Sequence, residues 1–259
     1  MGTWHGALRR WRSTTRAEKP DVGIIDSNTC FGWHPKRGKR TPPEALASRL
    51  SSWGVEKAVS LSLLGVYYDY AEGNEETLEN SRRLPFLIPA ATVDPRRYYG
   101  RQDEPLNLGQ FAALRVFPDL QGWPLDYAPF HKLLEEAASQ QVPVMVPAMS
   151  PGRSTEIVRV AQAVGVVVIL NSVSYWTLSE VLVLLARYDG LYIGTDMLDT
   201  PDAVELVTDE VGAERLIFGS NYPFTYFSGP LLNVQRSQIS KKDRCLILRE
   251  NALRILGIK

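Results

Sequence analysis

The sequence predicts an α/β fold built on a parallel sheet, and three observations carry that prediction. Short apolar runs alternate with amphipathic segments from Asp21 to the end, the rhythm of repeated strand and helix units. Eight strand candidates can be counted, at 22–26, 57–61, 86–93, 112–117, 142–146, 166–170, 191–194 and 215–218. The stretch 166–170 is apolar at every position, as a strand buried on both faces requires. The length, 259 residues, is close to the roughly 250 of one (β/α)8 barrel. Strand count alone leaves a closed barrel and an open doubly wound sheet both standing. No Gly-x-Gly-x-x-Gly turn follows the first strand to favour a dinucleotide fold.

The connecting segments carry their own punctuation. Thr41-Pro42 and Thr200-Pro201 each place a hydroxyl before a proline, a helix-start signal. Gly54, Gly165, Gly190 and Gly212 follow the last periodic residues of their segments, where a left-handed cap favours glycine. A helix is expected over 127–140, an exposed loop over 98–109, and a basic loop over 31–40. No linker or repeat marks a second domain, so the chain divides into a basic N-terminal extension, 1–20, and one barrel-sized body, 21–259.

Composition excludes several function classes. Apolar residues make up 44% and charged residues 22%, enough to build a large core. The 29 basic residues equal the 29 acidic ones, so no global field points to nucleic acid or a membrane surface. No apolar run approaches a bilayer span. Cys30 and Cys245 lie far apart without metal or disulfide spacing, which fits free thiols in a reducing compartment. The extension carries Arg9, Arg10, Arg12, Arg16 and Lys19 but no apolar core of a secretory signal. A cytoplasmic protein is expected, with a homo-oligomer compatible with the sequence.

Two segments near the end go further. The run 215–224, Arg-Leu-Ile-Phe-Gly-Ser-Asn-Tyr-Pro-Phe, resembles the eighth strand of the amidohydrolase-related family, usually Leu-Phe-Gly-Ser-Asp-Tyr-Pro-Phe. The run 249–257, Arg-Glu-Asn-Ala-Leu-Arg-Ile-Leu-Gly, resembles that family's closing helix, Asn-Ala-x-Arg-Leu-Leu-Gly. With Ile25-Asp26 at the first strand, the resemblance spans about 21–258 and implies a single (β/α)8 TIM barrel of the metallo-dependent hydrolase type.

The same resemblance locates a site. In this family a divalent ion at the barrel mouth is held by two strand-one histidines, a strand-five histidine and a strand-eight aspartate, with a strand-six histidine assisting. The first strand here reads Asp26-Ser27-Asn28-Thr29-Cys30, so Asn28 and Cys30 take the histidine positions. Pro147 stands at the strand-five position, Ser172 at the strand-six position and Asn221 at the strand-eight position. A divalent ion of this kind needs imidazole, carboxylate or thiolate donors, so no zinc or other divalent metal is expected in that site. His5, His34 and His131 are the only histidines, and of these only His34 falls near the mouth.

Asn28, Cys30, Arg115, Ser172 and Asn221 are therefore the candidate ligand-binding residues. Arg115 would suit a carboxylate or phosphate, against the plainer reading of an ion pair with Asp196 or Asp26. Cys30 as nucleophile and Asp196 as general base are the candidate catalytic groups. Lys36, Arg37, Lys39 and Arg40 would steer an anion or simply be solvated. Trp33, Tyr175, Trp176, Tyr222, Phe224, Tyr226 and Phe227 would line or plug the mouth. The function expected is that of a non-catalytic or metal-independent protein on a dismantled metal centre, binding a small ligand, an anion among the candidates, at the barrel mouth. The alternatives are a metal-independent hydrolase of lactone, ester or amide bonds or a decarboxylase-like enzyme, and a structural or assembly subunit.

Overall fold

The computed structural model describes residues 22–99 and 106–258; the N-terminal extension, with Trp4, His5 and Trp11, lies outside them. Eight parallel strands run in chain order: β1 (Ile24–His34), β3 (Val55–Ser62), β4 (Leu87–Thr92), β5 (Ala113–Arg115), β6 (Val144–Pro147), β7 (Val168–Asn171), β8 (Leu191–Gly194) and β9 (Leu216–Ile217). One short strand, β2 (Lys39–Thr41), adds antiparallel to β1. Each of the eight strand candidates coincides with one of the eight parallel strands.

The sheet closes where β1 meets the segment after β9. Ser27 donates from its amide (2.9 Å) and its hydroxyl (2.7 Å) to the Phe218 carbonyl, and Thr29 pairs in parallel with Tyr222. This seam explains the Gly-Ser pair of the eighth-strand signature. A Cβ on Gly219 would lie 2.9 Å from the Asn28 Cβ, so only glycine lets the strands approach. The neighbouring Ser220 gives its amide (2.9 Å) and hydroxyl (2.5 Å) to the Asp26 carboxyl. The result is a closed (β/α)8 barrel.

Two buried clusters follow from the alternation of side chains across closed strands. Ile25, Val59, Ala113, Met145, Ile169 and Ile217 fill the interior, joined by Ala252 and Leu256 of the closing helix. The larger cluster, with Leu114, Val144, Val168 and Leu170 among others, packs between sheet and helices. The closing segment is continuous from Lys241–Cys245 through a π-helical turn, Leu246–Glu250, to Asn251–Ile255. Buried Asn251 donates to the carbonyls of Ala213 and Leu216, both at 2.8 Å. That latch gives the asparagine of the closing signature a physical reason.

Local expectations fare unevenly. The helix Ala128–Ser139 matches the one expected at 127–140. Gly165 and Gly212 cap their helices at φ 70° and 93°; Gly190 is not among the glycines of positive φ. Neither threonine caps: the first helix begins at Pro43, with Thr41 drawn into β2, and the later one starts at Ala203 behind Asp202. The stretch 31–40 is a hairpin rather than a loop, because β1 runs on past Gly32 (φ 101°) and folds back through β2. The ends of the supposed exposed loop 98–109 are anchored, with Tyr98 and Leu108 buried. Among the described residues no helix is long and apolar enough to cross a membrane.

Candidate functional site

A cavity of about 410 Å³ opens at the C-terminal ends of the strands, within the range of small-molecule sites. Asn28, Arg115, Met145, Pro147, Asn171, Ser172 and Asn221 supply its strand-end lining; Leu63, Val66, Tyr67, Phe117, Leu120, Met149 and Phe224 supply its apolar walls. Four of the five candidate ligand-binding residues thus meet in one cavity, together with Pro147. Ser172 and Asn221 both sit at positive φ, 59° and 54°, conformations uncommon for side chains larger than glycine and concentrated at functional sites.

Arg115 is the charged centre of this floor. It ends β5 and is only 5% exposed, and its guanidinium lies 5.5 Å from the Phe117 ring centre. It donates to the Thr29 carbonyl at 2.6 Å and to the Asn28 side-chain oxygen at 2.5 Å. Both acceptors are neutral. Among the described residues no ion pair involves Arg115. Burial lowers its pKa, while the fields of Cys30, Asp196 and Asp26 act the other way. A guanidinium has five N–H donors, so two fixed bonds leave donors over for a ligand.

Cys30 and Asp196 are placed differently. Cys30 is buried beside Leu61 and Leu63 in the interior cluster and is not among the cavity's lining residues. Burial pushes its thiol up to about 11, against the pull of Arg115, which disfavours the thiolate that a nucleophile needs. Asp196 also stands behind the cavity wall: it accepts from the Ser172 amide at 3.0 Å, the Ser172 hydroxyl at 3.3 Å and the Asn171 amide group at 3.3 Å. Burial raises its pKa. It reaches the cavity through Ser172 and Asn171.

The rim adds features that the residues alone did not announce. His34 packs between Tyr67, 5.2 Å away in ring centres, and Phe224, 4.9 Å away. Burial and nearby Arg37 lower its pKa. Arg37 donates to the Phe224 carbonyl at 2.8 Å and lies over that ring, whereas Lys36, Lys39 and Arg40 point to solvent. Of the aromatic candidates, Phe224 lines the cavity, Phe227 is buried in the outer core, and Trp33, Tyr175, Trp176 and Tyr226 stand exposed. The helix Leu63–Tyr67 was missed as a wall element. Its signal was position, because Leu63 directly follows the C-terminal end of β3.

The side chains present do not suit a divalent ion. Such ions take imidazole, carboxylate or thiolate donors, whereas these strand ends offer amides, a hydroxyl and a proline ring, and the two lining donors of the right kind, His34 and Asp119, are engaged with Tyr67 and Arg153. Among the described residues no group of three or more His, Cys, Asp and Glu is disposed to hold one. A guanidinium already rests on Asn28, and its positive charge opposes a second cation there.

Comparison with known proteins bears on ancestry. A family profile described as Amidohydrolase matches residues 43–258, beginning after the first strand. No curated protein matches the chain. Among solved structures, an amidohydrolase 2 from Bifidobacterium longum subsp. infantis is 19% identical, with a TM-score of 0.67 over 92% of this chain and 100% of its own. A 2,6-dihydroxybenzoate decarboxylase from Rhizobium is 14% identical, TM-score 0.70, over 92% and 99%. A dihydroxybenzoic acid decarboxylase from Polaromonas, solved with manganese and 2-nitroresorcinol, is 15% identical, TM-score 0.66, over 92% and 97%. These likenesses extend the barrel over nearly the full chain, and the profile match makes the chain a member of the amidohydrolase family.

Proposed function

We propose that this barrel binds a small organic anion of largely apolar body, with an aryl carboxylate as the best-fitting class, and does so without a catalytic divalent ion. The observation that carries the reading is Arg115: a buried guanidinium at the floor of an apolar-walled cavity, held only by neutral acceptors. A buried charge whose direct partners are neutral is costly, and a carboxylate arriving from the cavity would meet it as a charge-assisted pair, adding to the more distant fields of Asp196 and Asp26. The guanidinium then supplies, from a fixed side chain, the positive charge that a metal supplies in other barrels. Structural neighbours named for dihydroxybenzoate decarboxylation act on ligands of that size and charge.

The test is titration calorimetry in chelator with benzoate, 2,6-dihydroxybenzoate and cyclohexanecarboxylate, on wild type and Arg115→Met. Binding by wild type with about a 100-fold loss in the variant, near 2.7 kcal/mol, is expected. Absence of binding by every carboxylate, or near-stoichiometric metal whose removal abolishes binding, would overturn the proposal.

A decarboxylase-like reaction on the same ligand is the second reading. It is favoured by the position of Asp196, a buried carboxyl whose pKa burial raises, one hydrogen bond behind the cavity-lining Ser172. Release of CO2 from 2,6-dihydroxybenzoate that disappears in Asp196→Asn would support it; equal rates with and without protein would remove it.

A further inference from the structure

Nine large apolar or aromatic side chains are exposed among the described residues; Trp33 stands near the C-terminal end of β1, and six more lie in segments that follow strand C-terminal ends. Six of these seven, Trp33, Leu120, Met149, Tyr175, Trp176 and Tyr226, form a crown at the strand-end side of the barrel; Leu120 and Met149 line the cavity itself, Tyr226 is 89% exposed and Trp176 73%. Such concentration on one face is uncommon on a monomer's surface. At about 150–250 Å² per large side chain, these fractions leave on the order of 500–900 Å² of the six in water. That compares with the roughly 800 Å² each partner gives to a standard interface.

Charges flank this crown unevenly. On the β1–β2 hairpin, Lys36, Lys39 and Arg40 are exposed and take part in no ion pair among the described residues. Beyond β8, Asp199 and Asp202 are exposed and equally without an ion pair. Asp199 accepts only from the Tyr175 amide, at 3.0 Å, which ties the acidic flank to the crown. Arg37, on the same hairpin as the basic flank, bonds to the carbonyl of the cavity-lining Phe224.

A surface with an apolar centre, a basic flank and an acidic flank complements itself. We propose that the crown is the interface between two copies of this chain, related by a two-fold axis across the mouths, with each basic hairpin facing the other copy's Asp199 and Asp202. The exposed aromatics become the buried anchors of that contact.

Sedimentation equilibrium of the full chain from about 1 to 100 µM tests this. Wild type is expected to associate to a dimer across that range, and the triple variant Tyr175→Ser/Trp176→Ser/Tyr226→Ser to remain monomeric while keeping its thermal transition. Because apolar loss alone does not fix orientation, charge reversal supplies a second arm. Asp199→Lys/Asp202→Lys should weaken the dimer at least tenfold, and adding Lys36→Glu/Lys39→Glu in the same chain should restore it. A monomeric wild type, a dimer indifferent to the triple variant, or reversal without restoration would each overturn the proposal.

Discussion

Asp26 and Arg115 are both buried charged groups at the ends of barrel strands, yet their surroundings differ in kind. The Asp26 carboxyl accepts from the Ser220 amide and hydroxyl and from the Asn28 amide at 3.1 Å, and all its partners belong to the seam that closes the barrel. Arg115 has two neutral acceptors and donors left over, and it faces a cavity. A buried charge saturated by backbone groups holds a fold together. One left short of partners at a cavity floor is where a ligand completes the set.

Removing each group should therefore read out differently. Asp26→Ala strands three buried donors at about 1–3 kcal/mol each, so a loss of at least about 3 kcal/mol is expected in urea unfolding at pH 7. Arg115→Met strands two acceptors but puts an apolar chain among apolar walls, and replacing buried charge in this way is often close to neutral. Its stability should fall by no more than about 2 kcal/mol while carboxylate binding is lost. Equal destabilisation in both variants would erase the distinction.

Acidity sharpens the same contrast. Burial raises the Asp26 carboxyl from 3.8 to about 6, with its hydrogen bonds acting in the opposite direction and Asp196 adding a smaller push. Between those values the folded state keeps a proton that the unfolded chain has released, so stability falls as pH rises. The contribution is fully present below pH 3.8 and lost through pH 6, by about 3 kcal/mol at 1.36 kcal/mol per unit. Asp196, also raised by burial, adds to the slope with the same sign. Unfolding free energies of wild type and Asp26→Asn at pH 4, 5, 6 and 7 check this, the variant being expected to show the flatter profile. A wild-type profile that rises from pH 4 to 6 would remove the account.

The scaffold was legible in the sequence because its signals are local. Eight apolar runs gave eight strands, and the Gly219-Ser220 and Asn251 positions do seam and latch work that any closed barrel of this kind needs. The cavity floor was legible for a second reason, since strand ends converge in a barrel whatever residues they carry. What escaped depends on depth and direction. Cys30 and Asn28 are two apart on β1, but the irregular register between Asp26 and Thr29 breaks simple alternation, and only Asn28 lines the cavity. The 31–40 stretch looked like a basic loop because its pairing partner, β2, is three residues long with two of them charged. The wall residues Leu63 and Val66 carry no polar group that would mark them as cavity lining.

Cys30 provides the finest division between the two regions, since it neighbours both the Arg115 charge and the apolar interior. With its pKa near 11, roughly one thiol in a thousand is ionised at pH 8, and the side chain is closed to solvent. Cys245, also a free thiol, is partly exposed. In a thiol-disulfide exchange assay on native protein, Cys245 should react at once and Cys30 only on unfolding. Cys30→Ala should cost about 1 kcal/mol through the small void it leaves, and should change carboxylate affinity by less than twofold, because its sulfur meets Arg115 from the barrel interior and does not line the cavity. Rapid modification of Cys30 in the folded protein, blocked by bound benzoate, would instead place the thiol inside the ligand site and move the boundary between barrel interior and mouth one residue deeper along β1.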